Sequence, residues 1–474
     1  MQKNNRIGIL IVASSLFMQN LDSTVLGTAL KVIAADFGTD PVRLHMAMTG
    51  YLLSLAVFMP VSGWLADRFG ARNVFRAAVA TFTIASIGCA FAPSLGWLVL
   101  GRVVQGVGGA MMVPVARLAL LRAVPKHQLI GAMALVSIPA LVGPVLGPPV
   151  GGFIVTYWEW PWIFWINVPV GILGIVLATL FMDNAKAEQR LPLDLAGFVL
   201  VGLGFSGLIL GLETMGEALL PQWLNLFAVL LGMASLAAYV GHARRTPAPI
   251  LDLSLLRVPT FFASVAGGGL FRIGIGALPF LLPLLLQAGF GYSPLASGMT
   301  TLAAALGAIT MKVGAEWLIK RYGFRRTLIW NTALSAVSLA GLMLFTPSTP
   351  TWIIFGVLLV GGFFRSLTFT ALNTLAYADL DQRRMSQATG FSAVTTQLSL
   401  SVGIGLAAML LSLARTEASG PAAEDFLLPF AVIGLIVALS TFQFASLKPD
   451  AGSAVSRRLP ATPSPARASS EPGL

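Results

Sequence analysis

Ser15-Leu16-Phe17-Met18-Gln19-Asn20-Leu21-Asp22-Ser23-Thr24-Val25-Leu26-Gly27-Thr28-Ala29 lies inside an otherwise apolar segment that begins at Ile7. A carboxylate at the centre of a membrane helix costs about 2.5–3.5 kcal/mol on insertion scales, so it turns toward a bundle interior or a wet cavity. Ser15, Gln19 and Asp22 are spaced i, i+4, i+7 and share one helix face. The spacing predicts a helix whose polar face lines a transport pathway, with Asp22 as the proton-binding group.

The rest of the chain fits that setting. Of 474 residues, 56% are hydrophobic and 10% charged, against about 25% charged in soluble domains. Apolar runs long enough to cross a bilayer recur from end to end. The expected fold class is an all-α polytopic membrane protein of about 14 spans, at 7–30, 46–66, 74–93, 96–121, 129–156, 161–182, 193–213, 221–241, 261–288, 294–317, 327–346, 351–377, 387–414 and 425–447. The short alternating segments of a β-barrel are absent. One cysteine, Cys89, allows no internal disulfide, and with scattered histidines it makes no metal set. It reads as a small buried hydrophobe. Lys3 and Arg6 precede a first span without a small-residue cleavage site, so no cleavable signal is expected.

The net charge of +11 is a topology signal and not a nucleic-acid footprint. Arg68, Arg72 and Arg76, then Arg122 and Lys126, Lys186 and Arg190, Arg244, Arg245 and Arg257, and Lys320, Arg321, Arg325 and Arg326 fall in alternate connections. Arg383 and Arg384 continue the series, and Arg457, Arg458 and Arg467 end it. The opposite connections hold acids such as Asp36, Asp40, Glu159, Glu417 and Glu424. The positive-inside rule then puts both termini in the cytoplasm. A repeat divides the chain: Trp64-Leu65-Ala66-Asp67-Arg68-Phe69-Gly70-Ala71-Arg72 is echoed by Trp317-Leu318-Ile319-Lys320-Arg321-Tyr322-Gly323-Phe324-Arg325. The expected organisation is a six-helix bundle over 1–183, two extra spans over 184–242, a Pro-containing cytoplasmic linker over 243–260 and a second six-helix bundle over 261–447. A Pro/Ser/Ala-rich tail over 448–474 is expected to be disordered.

Five motifs resemble those of the major facilitator superfamily, in its fourteen-span drug:proton antiporter branch of bacterial multidrug exporters. Leu21-Asp22-Ser23-Thr24-Val25 resembles the branch's first-span signature, with Gly27 and Lys31 departing from its usual Asn and Pro. Gly63-Trp64-Leu65-Ala66-Asp67-Arg68-Phe69-Gly70-Ala71-Arg72 is similar to the superfamily's cytoplasmic loop. The resemblance makes Gly63, Asp67, Arg68, Gly70 and Arg72 a latch between the bundles. Arg102-Val103-Val104-Gln105-Gly106 resembles the fourth-span motif, which implies that Arg102 sits near the first-span acid and eases proton release; Arg102 and Gln105 share a face. Gly143-Pro144-Val145-Leu146-Gly147-Pro148-Pro149-Val150-Gly151-Gly152 resembles the antiporter motif that marks exporters. Gly143, Gly147 and Gly151 form a smooth strip, and the prolines, Pro144 and Pro148 among them, bend the helix. Trp160 to Gly171 resembles a further signature of the branch, with Asn167 available for hydrogen bonding across helices.

Met18, Gln19, Thr24, Gln105, Met112, Asn167, Arg272, Arg365, Asn373 and Gln397 are candidates for the substrate cavity, with Phe17 and Met111 beside them. The function this implies is proton-coupled export of amphipathic small molecules by alternating access in a bacterial inner membrane, which is multidrug efflux and antibiotic resistance. Dedicated export of one metabolite, amino acid or siderophore is the alternative. No cofactor is expected beyond the proton gradient, and the expected partners are substrate, protons and lipid around a monomer. Nothing resembles a nucleotide loop, a nucleophile elbow or a zinc set, which speaks against an enzyme or an ATP-driven pump.

Overall fold

A computed structural model describes residues 3–39, 41–184, 192–217, 221–414 and 422–456. The loop cations Lys186 and Arg190, Asp40, Glu417 and the terminal arginines Arg457, Arg458 and Arg467 lie outside the described residues. Every apolar run becomes helix, the form that satisfies all backbone donors and acceptors within a segment surrounded by hydrocarbon.

The first lobe comprises α1 (Lys3–Asp36), α2 (His45–Phe58), α3 (Val61–Phe69), α4 (Ala71–Ala90), α5 (Leu95–Ala123), α6 (Leu129–Tyr157), the short α7 (Trp162–Trp165) and α8 (Asn167–Phe181). The chain then forms α9 (Leu195–Glu217) and α10 (Gln222–Ala243). The second lobe opens with α11 (Pro259–Phe262), α12 (Gly268–Gly276) and α13 (Leu278–Leu284), with wide π-helical turns at Ala263–Gly267 and Leu285–Gly289. It closes with α14 (Pro294–Gly341), α15 (Thr351–Ala378), α16 (Met385–Ala414) and α17 (Leu427–Ala445), followed by a single turn, α18 (Ser453–Ser456).

Two elements turn at the repeated loop, and the second span bends ahead of it. The second span breaks by 58° between α2 and α3, at Pro60, which has no N–H to continue the ladder. Gly70, with φ +93°, turns α3 into α4, and Gly323, with φ +76°, kinks α14 into two helices. Those φ values are the ones L side chains avoid. The two copies of the loop therefore share a backbone turn as well as a sequence pattern.

In the first lobe α1 lies along α6, while α2 and α4 pack on α5. In the second, α12 packs on α16 and α17, and α14 packs on α15 and α17. The extra pair straddles the seam: α9 touches α2 of one lobe and α16 of the other, and α10 leans on α9. Gly207 of α9 makes that contact close, since a Cβ there would meet the backbone of Ala228 and Gly232. The outer face of α10 exposes Trp223, Leu226, Phe227 and Leu230, which suits a helix facing lipid.

The tail departs from expectation. Residues 448–456 are ordered, with α18 laid against α14 and α15 of the second lobe and α6 of the first. Val455 is fully buried there, and Gly452, at φ +69°, sits against Phe324 and Leu375. One valine and one left-handed glycine anchor a stretch too short and too polar to show periodicity. The rest of the tail, 457–474, lies outside the described residues.

Candidate proton site and lobe latch

Asp22 sits near mid-helix on α1 and is 2% exposed. Helices from across the first lobe converge on it. Arg102 Nη1 donates to Asp22 Oδ2 at 2.5 Å and to Gln105 Oε1 at 2.7 Å. Gln105 Nε2 and Asn167 Nδ2 donate to Asp22 Oδ1 at 2.9 and 2.8 Å. Asn167 Nδ2 also donates to Ser86 Oγ at 3.1 Å, and Ser86 donates to the Phe164 carbonyl at the α7–α8 joint. The Tyr51 ring lies under the Arg102 guanidinium, 4.2 Å from Cζ to centroid. Gly106 permits that approach, because a Cβ there would stand 2.6 Å from the Tyr51 carbonyl oxygen.

Every partner of Asp22 is a donor, and the set suits a carboxylate rather than a carboxylic acid. The ion pair is buried on both sides, with side chains 1% exposed. A pair of this kind resists loss of either member, because the survivor is an unpaired charge away from water.

The glycine strip of α6 is pressed against the same stretch of α1. A Cβ on Gly143 would stand 2.9 Å from Asn20 Cβ and 3.1 Å from Leu21 N, and one on Gly147 would stand 2.7 Å from Thr24 Cβ. Helix α6 runs unbroken through 144, 148 and 149. Gly151 is buried, and Gly152 has open space where its Cβ would point.

The lobes meet at the end that carries the basic loops. Asp67 Oδ1 accepts from Arg122 Nη2 at 3.0 Å, and Asp67 Oδ2 accepts from the hydroxyl of Ser386, across the seam on α16. Gly63 lies against the same residue; a Cβ there would meet Ser386 O at 2.5 Å. The second copy is used differently. Lys320, standing where the first copy has its acid, pairs with Glu316 at 2.5 Å. Glu316 in turn lies against Gly131 at the start of α6, so the second loop also touches the opposite lobe. Lys126 Nζ reaches the Ala378 carbonyl at 3.4 Å. Arg68 is exposed and Arg72 half-buried beside these contacts.

The candidate cavity residues separate into three groups. Gln105 and Asn167 belong to the Asp22 cluster, and half-buried Gln19 approaches the Tyr51 hydroxyl. Thr24 satisfies its hydroxyl on the Asn20 and Leu21 carbonyls of its own helix. Met18 and Met112 are 2% and 0% exposed and pack in the core of the first lobe. Arg272 and Asn373 meet, with Nη2 donating to Oδ1 at 3.4 Å, and Gln397 is half-buried on α16. Arg365 does not join them. Its guanidinium packs over Gly361 beside Ser338, between α15 and the second half of α14, because its position on α15 faces the lobe interior.

Several residues of the site carried no sequence motif. Tyr51 and Ser86 are an aromatic and a small polar residue in apolar spans, types too common there to stand out. Lys312 is buried inside the second lobe, with Nζ donating to Thr370 Oγ1 at 2.6 Å, and Arg117 lies on α5. A basic residue within an apolar run was the signal that marks both.

The Major Facilitator Superfamily profile matches residues 12–404. The chain is 39% identical over 458 residues, 94% of its length and 96% of the relative's, to the MdtD protein of Escherichia coli O9:H4 (strain HS), which carries a multidrug-resistance name. It is 38% identical over 457 residues to the protein of the same name in Citrobacter koseri, with 94% and 96% covered. Among solved structures, the human organic anion transporter MFSD10 superposes with a TM-score of 0.67 at 16% identity, covering 94% of this chain and 100% of that one. The proton:xylose symporter XylE bound to 6-bromo-6-deoxy-D-glucose gives 0.64 at 14% identity, with 93% and 96% covered. These two likenesses are of fold.

Proposed function

The chain belongs to the major facilitator superfamily and is an integral membrane transporter, not an enzyme, and from that premise we propose that it is a proton-coupled antiporter exporting amphipathic small molecules by alternating access. The observation that carries this reading is the buried Asp22–Arg102 pair, with Gln105 and Asn167 as its further donors.

A proton taken up by Asp22 ends the ion pair and leaves Arg102 with Gln105 and the face of Tyr51. An uncompensated buried guanidinium is strongly unfavourable, so α1 and α5 repack. Helix α1 is locked on α6 through the glycine strip, and α6 touches α14 and α15 of the other lobe. Protonation at Asp22 therefore reaches the seam through packed helices. Proton and cargo each favour a different orientation of the lobes, which is the differential affinity that coupling requires. The distribution of basic loops supports a cytoplasmic side for the latched end and both termini, and the bacterial relatives support an inner-membrane setting. The multidrug-resistance name of the relatives favours a broad range of cargo.

The test is uptake of a panel of cationic, neutral and anionic dyes into inverted vesicles under an acid-inside pH gradient. Asp22→Asn, which keeps the shape and removes the titration, is expected to reduce gradient-driven uptake to background. An unchanged rate in that variant rejects the coupling role.

A further inference from the structure

Two arginines that the proton chemistry leaves unused lie on helices of opposite lobes. Arg117 lies toward the basic end of α5, and Arg272 on α12 curls two turns back toward the same end. Arg272 is 1% exposed; Nη1 donates to the Ser264 carbonyl at 3.0 Å and Nη2 to Asn373 Oδ1 at 3.4 Å. Gly268 gives it room, since a Cβ there would stand 2.9 Å from Nη1. The strongest charge acting on it is that of another cation, Arg117, and Tyr377 acts on it as well. Nε of Arg272, Nε of Arg117 and the Tyr377 hydroxyl are each buried with no hydrogen-bond partner among the described residues. Neither guanidinium makes an ion pair among those residues, whereas Arg102, Arg122 and Arg384 all do.

Buried charges are normally paired, and two like charges at one seam make the requirement sharper. The described residues supply the donors of an oxyanion site, and among them no acid pairs with either guanidinium. We propose that Arg272 and Arg117, with Tyr377 and Asn373, form a subsite for an oxyanion group of the cargo, so that the preferred substrates are amphipathic organic anions such as carboxylates. The proposal rests on the exporter reading above and names the substrate class of that path.

The location explains how the anion acts. When the lobes part at the basic end, α5 carries Arg117 away and Arg272 stays with Asn373 and Tyr377 on the second lobe. An anion entering there takes the remaining donors of Arg272, whose planar fork suits a carboxylate. Closure returns Arg117 to the other side of the same anion and turns repulsion into attraction. The anion thereby favours the closed seam.

The test is binding to the full chain in neutral phosphatidylcholine nanodiscs, using naphthalene-2-carboxylate and naphthalene-2-carboxamide as matched probes. The expected result is carboxylate binding at least about tenfold tighter than carboxamide, the effect of a charge-assisted hydrogen bond. Arg272→Gln and Arg117→Gln each bring that ratio close to one, and Arg272→Lys restores part of it. Removing one of two like charges also leaves the Gln variants melting no lower than the parent, which separates this role from a structural one. A ratio near one in the parent, or a ratio unchanged in both Gln variants, overturns the proposal. Displacement of the carboxylate by an equal amount of inorganic phosphate, or by phosphatidylglycerol placed in the disc, overturns the assignment to cargo. Selective binding by a chain that moves none of the probes under a pH gradient sinks the antiport reading and leaves the subsite standing.

Discussion

Asp22 is held by three donors from two helices besides its own, and the grading of those donors sets what each variant does. Asn167→Ala removes one hydrogen bond to a charged group, worth about 1.5–3 kcal/mol, but leaves the ion pair with Arg102 intact. Gradient-driven uptake is expected to fall severalfold in that variant and to survive. Ser86→Ala, one step further out, is expected to have a smaller effect, because Asn167 keeps its bond to Asp22. Equal losses in the two variants, measured in vesicles with matched protein levels, contradict this order. Asp22 and Arg102 were legible in the sequence, since each is a charge inside an apolar run. Gln105 was legible through its i+3 spacing from Arg102. Tyr51 and Ser86 were not, because their roles come from the crossing of α2 and α4 with α5 and α8. Arg365 shows the same limit: a lone cation in a span says that it needs shelter, not which side of the helix provides it.

At the scale of the element, the glycines of α6 differ sharply in what surrounds them. Gly147→Val forces a side chain into Thr24, and overpacking of this kind costs about 1–3 kcal/mol. It is expected to lower the melting temperature and to abolish transport by pushing α1 off α6. Gly152→Ala points a methyl group into open space and is expected to behave as the parent. Matching losses in the two variants, read by thermal unfolding and dye uptake, count against the strip as a specific α1–α6 contact. The period of four was plain in the sequence. Its partner was not, because a smooth strip records that something packs closely without recording what.

At the scale of the molecule, the latch is distributed. Asp67 joins Arg122 to Ser386, Gly63 lies on Ser386, Glu316 lies on Gly131, and α18 bridges both lobes. Asp67→Ala removes two of these contacts and is expected to raise amide exchange at the start of α16 and the end of α5, with the cores of both lobes unaffected. Deleting residues 449–456 uncovers the site of Val455, whose burial is worth about 1.5–3 kcal/mol. It is expected to raise exchange at the start of α6 and the end of α15. Unchanged exchange in either variant shows that the rest of the seam holds by itself. The repeated loop was readable because Gly70 and Gly323 need the same turn. The ordered tail was not, because its anchoring depends on Phe324 and Leu375, distant in sequence.

The placement of α18 gives a few residues near the end of the chain an influence out of proportion to their number. They bridge the two lobes at the end that carries the basic loops, the contact that has to break if the lobes are to part there. A binding protein or a protease acting on the chain's end would work as a throttle, setting turnover from outside the translocation path.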